Sequence, residues 1–252
     1  MPDRYAPQHA RARVFAPSAR WPVFVLVPVV VWFGGNLILG TGFDIWTNSP
    51  GAQSNPARID ALIDASTPWA VRWTLGLFAV YVALLLLCTR VFHGLSLTNL
   101  TGPPRSVWRS FWRVSLYLLP LYAIFTVPSL WAPEVYQNLD LFRWLILLPT
   151  VLPFLFIQIA TEELVFRGYL QSHAAALSRH PLVWMLIPSV LFGLIHYDSF
   201  APAYSAWSYV AWATALGLVC ADLTARVGHL GPALAVHFVN NIFAMLVLAA
   251  DD

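Results

Sequence analysis

Seven apolar stretches, each meeting or approaching the length needed to cross a bilayer, dominate this chain of 252 residues. They cover residues 21–40, 71–91, 114–131, 144–170, 182–197, 206–223 and 232–250. About 20 predominantly apolar residues cross the hydrocarbon core as a helix. The spacing therefore predicts an all-α fold, a polytopic transmembrane helix bundle of about seven or eight spans. Composition agrees: 10% of the residues are charged, against about 25% in a soluble domain. Pro120, Pro149, Pro153 and Pro188 fall inside these stretches, where membrane helices tolerate them as kinks or breaks. The fourth stretch is too long for one upright span, so it is tilted, kinked or partly re-entrant, with room for an eighth short segment.

Three regions follow. Residues 1–20, polar and rich in arginine, read as a cytoplasmic N-terminal tail and not as a cleavable signal peptide. Residues 21–140 hold the N-terminal transmembrane helices and an outer loop at 41–68, in which 59–63 reads as a short interfacial helix. Residues 141–250 contain the polar membrane residues. Arginines fall in alternate loops, on one side of the membrane: Arg4, Arg11, Arg13 and Arg20 before the first span, then Arg90, Arg105, Arg109 and Arg113, then Arg179 and Arg226. The opposite loops carry Asp44, Asp60, Asp64, Glu134, Asp140 and Asp198, with Arg58 and Arg143 as exceptions. The positive-inside bias places the N-terminus in the cytoplasm and, after seven spans, Asp251 and Asp252 outside. All the basic residues are arginine, as in GC-rich bacterial genomes, so the expected location is a bacterial inner membrane.

A net charge of +2 gives no case for nucleic acid. Cys88 and Cys220 lie in apolar stretches, which argues against a disulfide framework and against thiol chemistry.

Charged groups at bilayer depth are costly and mark function by default. The last four stretches contain Glu162, Glu163, Arg167, His196, His237, Asn240 and Asn241. Glu163 and Arg167 are four apart in the order favoured for a helical ion pair. Glu162 is turned about 100° away and lacks that partner. In a low-dielectric cavity such a carboxyl suits proton transfer near neutrality. His237 and Asn241 share a helix face, as do Phe192 and His196, while Asn240 points elsewhere. Counted at about 1.5 Å per residue, Glu162, His196 and His237 lie at unequal depths that bracket a cavity in the cytoplasmic half. A carboxylate, two imidazoles and a carboxamide are the parts for water-mediated hydrolysis. Two histidines and a glutamate are equally a catalytic zinc set.

The strings Glu162-Glu163-Leu-Val-Phe-Arg167, Phe192-Gly-Leu-Ile-His196 and His237-Phe-Val-Asn-Asn241 resemble the CAAX-processing protease and bacteriocin-processing (CPBP, or Abi) family of intramembrane proteases. The resemblance covers residues 141–250. It implies a multi-spanning endopeptidase whose cavity opens to the cytosol and to lipid. It further implies that Glu162 and His196 activate water, that His237 and Asn241 stabilise the oxyanion, and that Glu163, Arg167 and Phe192 support them. The expected partners are membrane lipid and a peptide or protein substrate, lipidated or hydrophobic at one end. No cofactor is favoured, because Asn241 beside His237 suits an oxyanion donor better than a zinc ligand; a zinc-dependent protease is the alternative mechanism. A non-catalytic membrane immunity or partner-binding protein of the same fold is the alternative function. A proton-coupled transporter is disfavoured, since interrupted helices are not paired across two halves. Asn240 reads as interhelical glue and Asp198 as a helix-end cap. His173, His180 and His229 read as solvated turn residues, and His9 and His93 carry no signal.

Overall fold

The computed structural model describes residues 4–126, 128 and 139–247, and every regular element among them is helical. Prolines open the first five helices: α1 (Ala6–Phe15), α2 (Trp21–Thr47), α3 (Pro50–Gln53), α4 (Pro56–Ile63) and α5 (Pro68–Gly76). At the first turn proline's missing N–H has no helical partner to lose, and its fixed φ already suits a helix. After Leu77, α6 (Phe78–His93) continues α5 as one apolar run, Pro68–His93. The short α7 (Leu97–Thr101) is opened by a Ser96/Asn99 capping box and leads to α8 (Pro104–Thr126). α9 (Leu141–Glu163) passes through a π-helical stretch, Leu164–Leu170, into α10 (Gln171–Leu177). A π turn, Leu182–Leu186, precedes α11 (Ile187–Leu194). α12 (Ala203–Val227) ends at Gly228, whose φ of +75° suits glycine. The last helix is α13 (Gly231–Asn241), with a π-helical extension, Ile242–Val247.

Each of the seven apolar stretches is helical over most of its described residues. Residues 127, 129–131 and 248–250 of the expected spans, and Glu134, Asp251 and Asp252, lie outside the described residues. Four runs are long and apolar enough to cross a membrane: Trp21–Thr47, Pro68–His93, Leu141–Leu177 and Ala203–Val227. Leu182–Leu194 and Gly231–Val247 are apolar but shorter, and α8 carries three arginines in its first half. The chain is therefore a polytopic helix bundle. Phe33, Leu37, Tyr117, Phe125 and Phe142 all stand outward and exposed, a surface suited to lipid and unlike that of a soluble monomer.

Three local expectations change. The fourth stretch forms no separate eighth segment, because the π-helical residues keep Leu141–Leu177 continuous. The loop expected at 41–68 is shorter: α2 continues through Gly40 and Gly42 to Thr47, with apolar Phe43, Ile45 and Trp46 in its last turns, and the remainder winds into α3 and α4. His173, expected in a solvated turn, is fully buried. It lies on α10 beneath α1, stacked on Phe15 with its Nδ1 3.0 Å from the Tyr169 hydroxyl. His93 joins that cluster, 4.9 Å from the His173 ring between centroids. His180 is exposed as expected, and His229 is half-buried.

The N-terminal segment is also folded. α1 packs on α10 and α12 and buries Gln8, Arg11, Ala12 and Phe15. Arg11 Nη2 donates to the Leu100 carbonyl at 2.6 Å, and the Tyr5 hydroxyl donates to Asp222 Oδ1 at 2.8 Å.

Candidate active site

The polar centre forms where α9 gives way to its π-helical continuation. Such π stretches recur at functional sites, since a wider turn re-aims the side chains on either side of it. Glu163, the last residue of α9, is fully buried, and Glu162 is 7% exposed. Glu163 Oε1 accepts from Arg167 Nη1 at 3.0 Å and lies 2.8 Å from His237 Nδ1. The guanidinium sits 4.4 Å above the Phe192 ring, and both residues are buried, which strengthens such a cation–π contact. Glu163 thus does more than pair with Arg167: it also fixes the His237 ring.

That hydrogen bond sets the chemistry of His237. With Nδ1–H donating to Glu163, Nε2 is the nitrogen left for another partner, an acceptor when the ring is neutral and a donor when it is charged. Nε2 lies 3.6 Å from Glu162 Oε2.

His196 reaches the same region from the end of α11. Its Nδ1 lies 2.7 Å from the Phe192 carbonyl, so Nδ1–H donates and Nε2 keeps its lone pair. Phe192 stands edge-on to both imidazoles, 4.7 Å from His196 and 5.5 Å from His237 between ring centroids. α11 comes this close because its glycine lets it. A β-carbon on Gly193 would collide with Thr214 and approach the Val210 carbonyl oxygen to 2.7 Å. On α12, a β-carbon on Gly217 would lie 3.1 Å from Arg167 Nη2.

A cavity of about 220 Å³ is lined by Gln158, Phe192, His196, Tyr209, Trp212 and the α13 residues His237, Asn240 and Asn241, among others. Asn240 Nδ2 donates to Asn241 Oδ1 at 3.1 Å, which leaves the Asn241 amide nitrogen as that residue's donor. The Tyr122 hydroxyl donates to Asn240 Oδ1 at 3.4 Å, so Asn240 does bridge helices. It also faces the cavity, which the helical spacing did not anticipate.

The fold thus brings Glu162, Glu163, Arg167 and His237 into direct contact, and places His196, Asn241 and Phe192 on the cavity with His237. Glu162 is not itself a wall residue. It is reached through His237 and through Gln158, whose Nε2 donates to Glu162 Oε1 at 2.7 Å. Gln158 went unnoticed in the sequence, although an amide one turn before a membrane glutamate was a legible signal. Tyr209 and Trp212 were hidden among many apolar aromatics. Asp198 caps its own turn, accepting from the Phe200 amide at 2.8 Å. Among the described residues, no three His, Cys, Asp or Glu side chains are gathered so as to hold one metal ion.

Residues 143–243 match the family model described as Type II CAAX prenyl endopeptidase Rce1-like. The uncharacterized protein YyaK of Bacillus subtilis (strain 168) is 28% identical over 178 residues, which cover 69% of this chain and 58% of that protein. The chain therefore spans less than two thirds of that relative's length. No solved structure matches. The matched region contains every member of the polar centre, from Glu162 to Asn241, and it is over residues 143–243 that this chain is similar to the Rce1-like family.

Proposed function

We propose that this protein is an intramembrane endopeptidase of a bacterial inner membrane, with its N-terminus in the cytoplasm. It hydrolyses a peptide bond near the cytoplasmic face, in peptides or proteins that are lipidated or carry a hydrophobic tail. The observation that carries this reading is the His237 ring, held by Glu163 with its Nε2 toward Glu162 at the edge of a cavity that His196 and Asn241 also line.

In this reading Glu162 and His196 activate water together: Glu162 takes a proton as the water oxygen bonds to the scissile carbonyl carbon, and His196 Nε2 then receives that proton for the leaving group. His196 is suited to the task by the free Nε2 that its bond to the Phe192 carbonyl leaves. The carbonyl oxygen becomes an oxyanion, met by the Nε2–H of a charged His237 and the Asn241 amide. As the intermediate collapses the C–N bond breaks, and the proton taken from water passes to the departing amine. Glu163 supports the charge on His237, and Arg167 supports Glu163. No step calls on a metal.

The test uses purified, membrane-reconstituted protein and a fluorogenic peptide ending in an S-farnesyl cysteine motif. Cleavage is expected from wild type and not from Glu162→Gln or His196→Ala. Wild-type rates from Glu162→Gln overturn the assignment of the base. Loss of activity in strong chelator, restored by zinc, overturns the metal-free mechanism. A wild type that cleaves no lipidated peptide, with a cellular phenotype that survives substitution of Glu162, His196 and His237, supports the non-catalytic partner-binding alternative.

A further inference from the structure

Gln158 belongs to none of the three motifs, yet two observations tie it to the chemistry. Its Nε2 donates to Glu162 Oε1 at 2.7 Å, which orients the carboxylate and fixes which end of the amide is oxygen. Its Oε1 then points elsewhere, on a residue that lines the cavity. That oxygen and Glu162 Oε2 are both buried acceptors with no protein donor within hydrogen-bond distance, His237 Nε2 standing 3.6 Å from Oε2. Buried acceptors are rarely left without a donor, and each such atom calls for an explanation.

We infer that Gln158 is a water-positioning residue: Glu162 Oε2 and Gln158 Oε1 each accept one hydrogen of the attacking water. The inference rests on Glu162 being the base. A water held by two acceptors has both hydrogens committed and a lone pair directed away from them, toward the cavity that His196 and Asn241 line. One hydrogen transfers to Glu162 as the O–C bond forms, and the other stays on the new hydroxyl, held by Gln158. Gln158 thereby acts twice, on the base through its N–H and on the nucleophile through its oxygen. A misplacement of reacting groups by about 1 Å costs roughly 10²-fold in rate, and that is the loss expected when the amide is removed.

Gln158→Met keeps length and volume without a hydrogen-bonding amide, and Gln158→Glu keeps the shape but loses the donor beside Glu162. Both are expected to lower kcat by about 10²-fold, with KM and melting temperature near wild type. A Gln158→Met protein with wild-type kcat overturns the inference, as does one altered only in KM. Glu162→Gln is run alongside: if it still cleaves, the underlying assignment of the base fails, whatever Gln158 does. A crystal structure of wild type decides the matter without substrate. It is expected to show one water about 2.6–3.2 Å from both Gln158 Oε1 and Glu162 Oε2, and its absence from a well-resolved site overturns the inference.

Discussion

Glutamine at position 163 would keep the shape of a fully buried side chain and remove its charge. Arg167 is 1% exposed, and its partner is Glu163 Oε1, at 3.0 Å. Its Nη2 has no acceptor, so the guanidinium has little else to turn to. Removing one member of a buried ion pair costs about 3–5 kcal/mol, mostly from the orphaned charge. The contact with the Phe192 ring at 4.4 Å exists before and after the change and offsets nothing. A glutamine carbonyl can still accept one bond, so Glu163→Gln should fall at the lower end, a loss of about 3 kcal/mol. Adding Arg167→Met removes the orphaned charge, and neutral replacements for buried pairs are often harmless. The double variant should therefore recover to within about 1 kcal/mol of wild type. Activity should not recover with it, because an amide cannot support a charged His237 as a carboxylate does. Denaturant unfolding in detergent micelles gives the stabilities, and peptide cleavage by the same preparations gives the rates. A single variant within about 0.5 kcal/mol of wild type, or a double variant less stable than Glu163→Gln, would refute the account of this pair.

Other outcomes follow from the same geometry. Gly193→Ala should lower stability by about 1–3 kcal/mol through overpacking, and Thr214→Ala should rescue it only partly, because the Val210 carbonyl remains in the way; thermal melts decide. Phe192→Leu should reduce cleavage more than it reduces stability, because one ring touches Arg167, His196 and His237; kcat and melting temperature measured together check this. His229, in the turn between α12 and α13, has its pKa lowered by burial and then by Arg11. The folded state thus resists protonating it, and its contribution to stability should be lost as pH falls from about 6.5, the unfolded value, toward the lower folded one. Melting curves between pH 7.5 and pH 5 for wild type and His229→Gln, each paired with Arg11→Met, measure that slope, which should be shallower in both single variants.

The helical class, the approximate span positions and the identity of the polar centre were legible in the chain itself. Apolar length dictates helices in lipid, and a carboxylate in such a run demands a reason wherever the run sits. Local spacing also gave the Glu163–Arg167 pair, since four residues always make neighbours on a helix. Spacing could not show that His237 comes across from α13 to share the same Glu163 oxygen, or that Gln158 orients Glu162. The first is a contact between residues 74 apart in sequence. The second is a local contact whose meaning depends on a cavity that several helices must close. His173 was misplaced for a related reason: the π-helical residues carry the helix onward under α1, and nothing in a short polar string reveals what will cover it. Sequence alone determined which residues are costly in a membrane. The tertiary structure decided how each cost is met, because burial, ring orientation and the sharing of one oxygen by two donors are properties of packed helices and not of any single one.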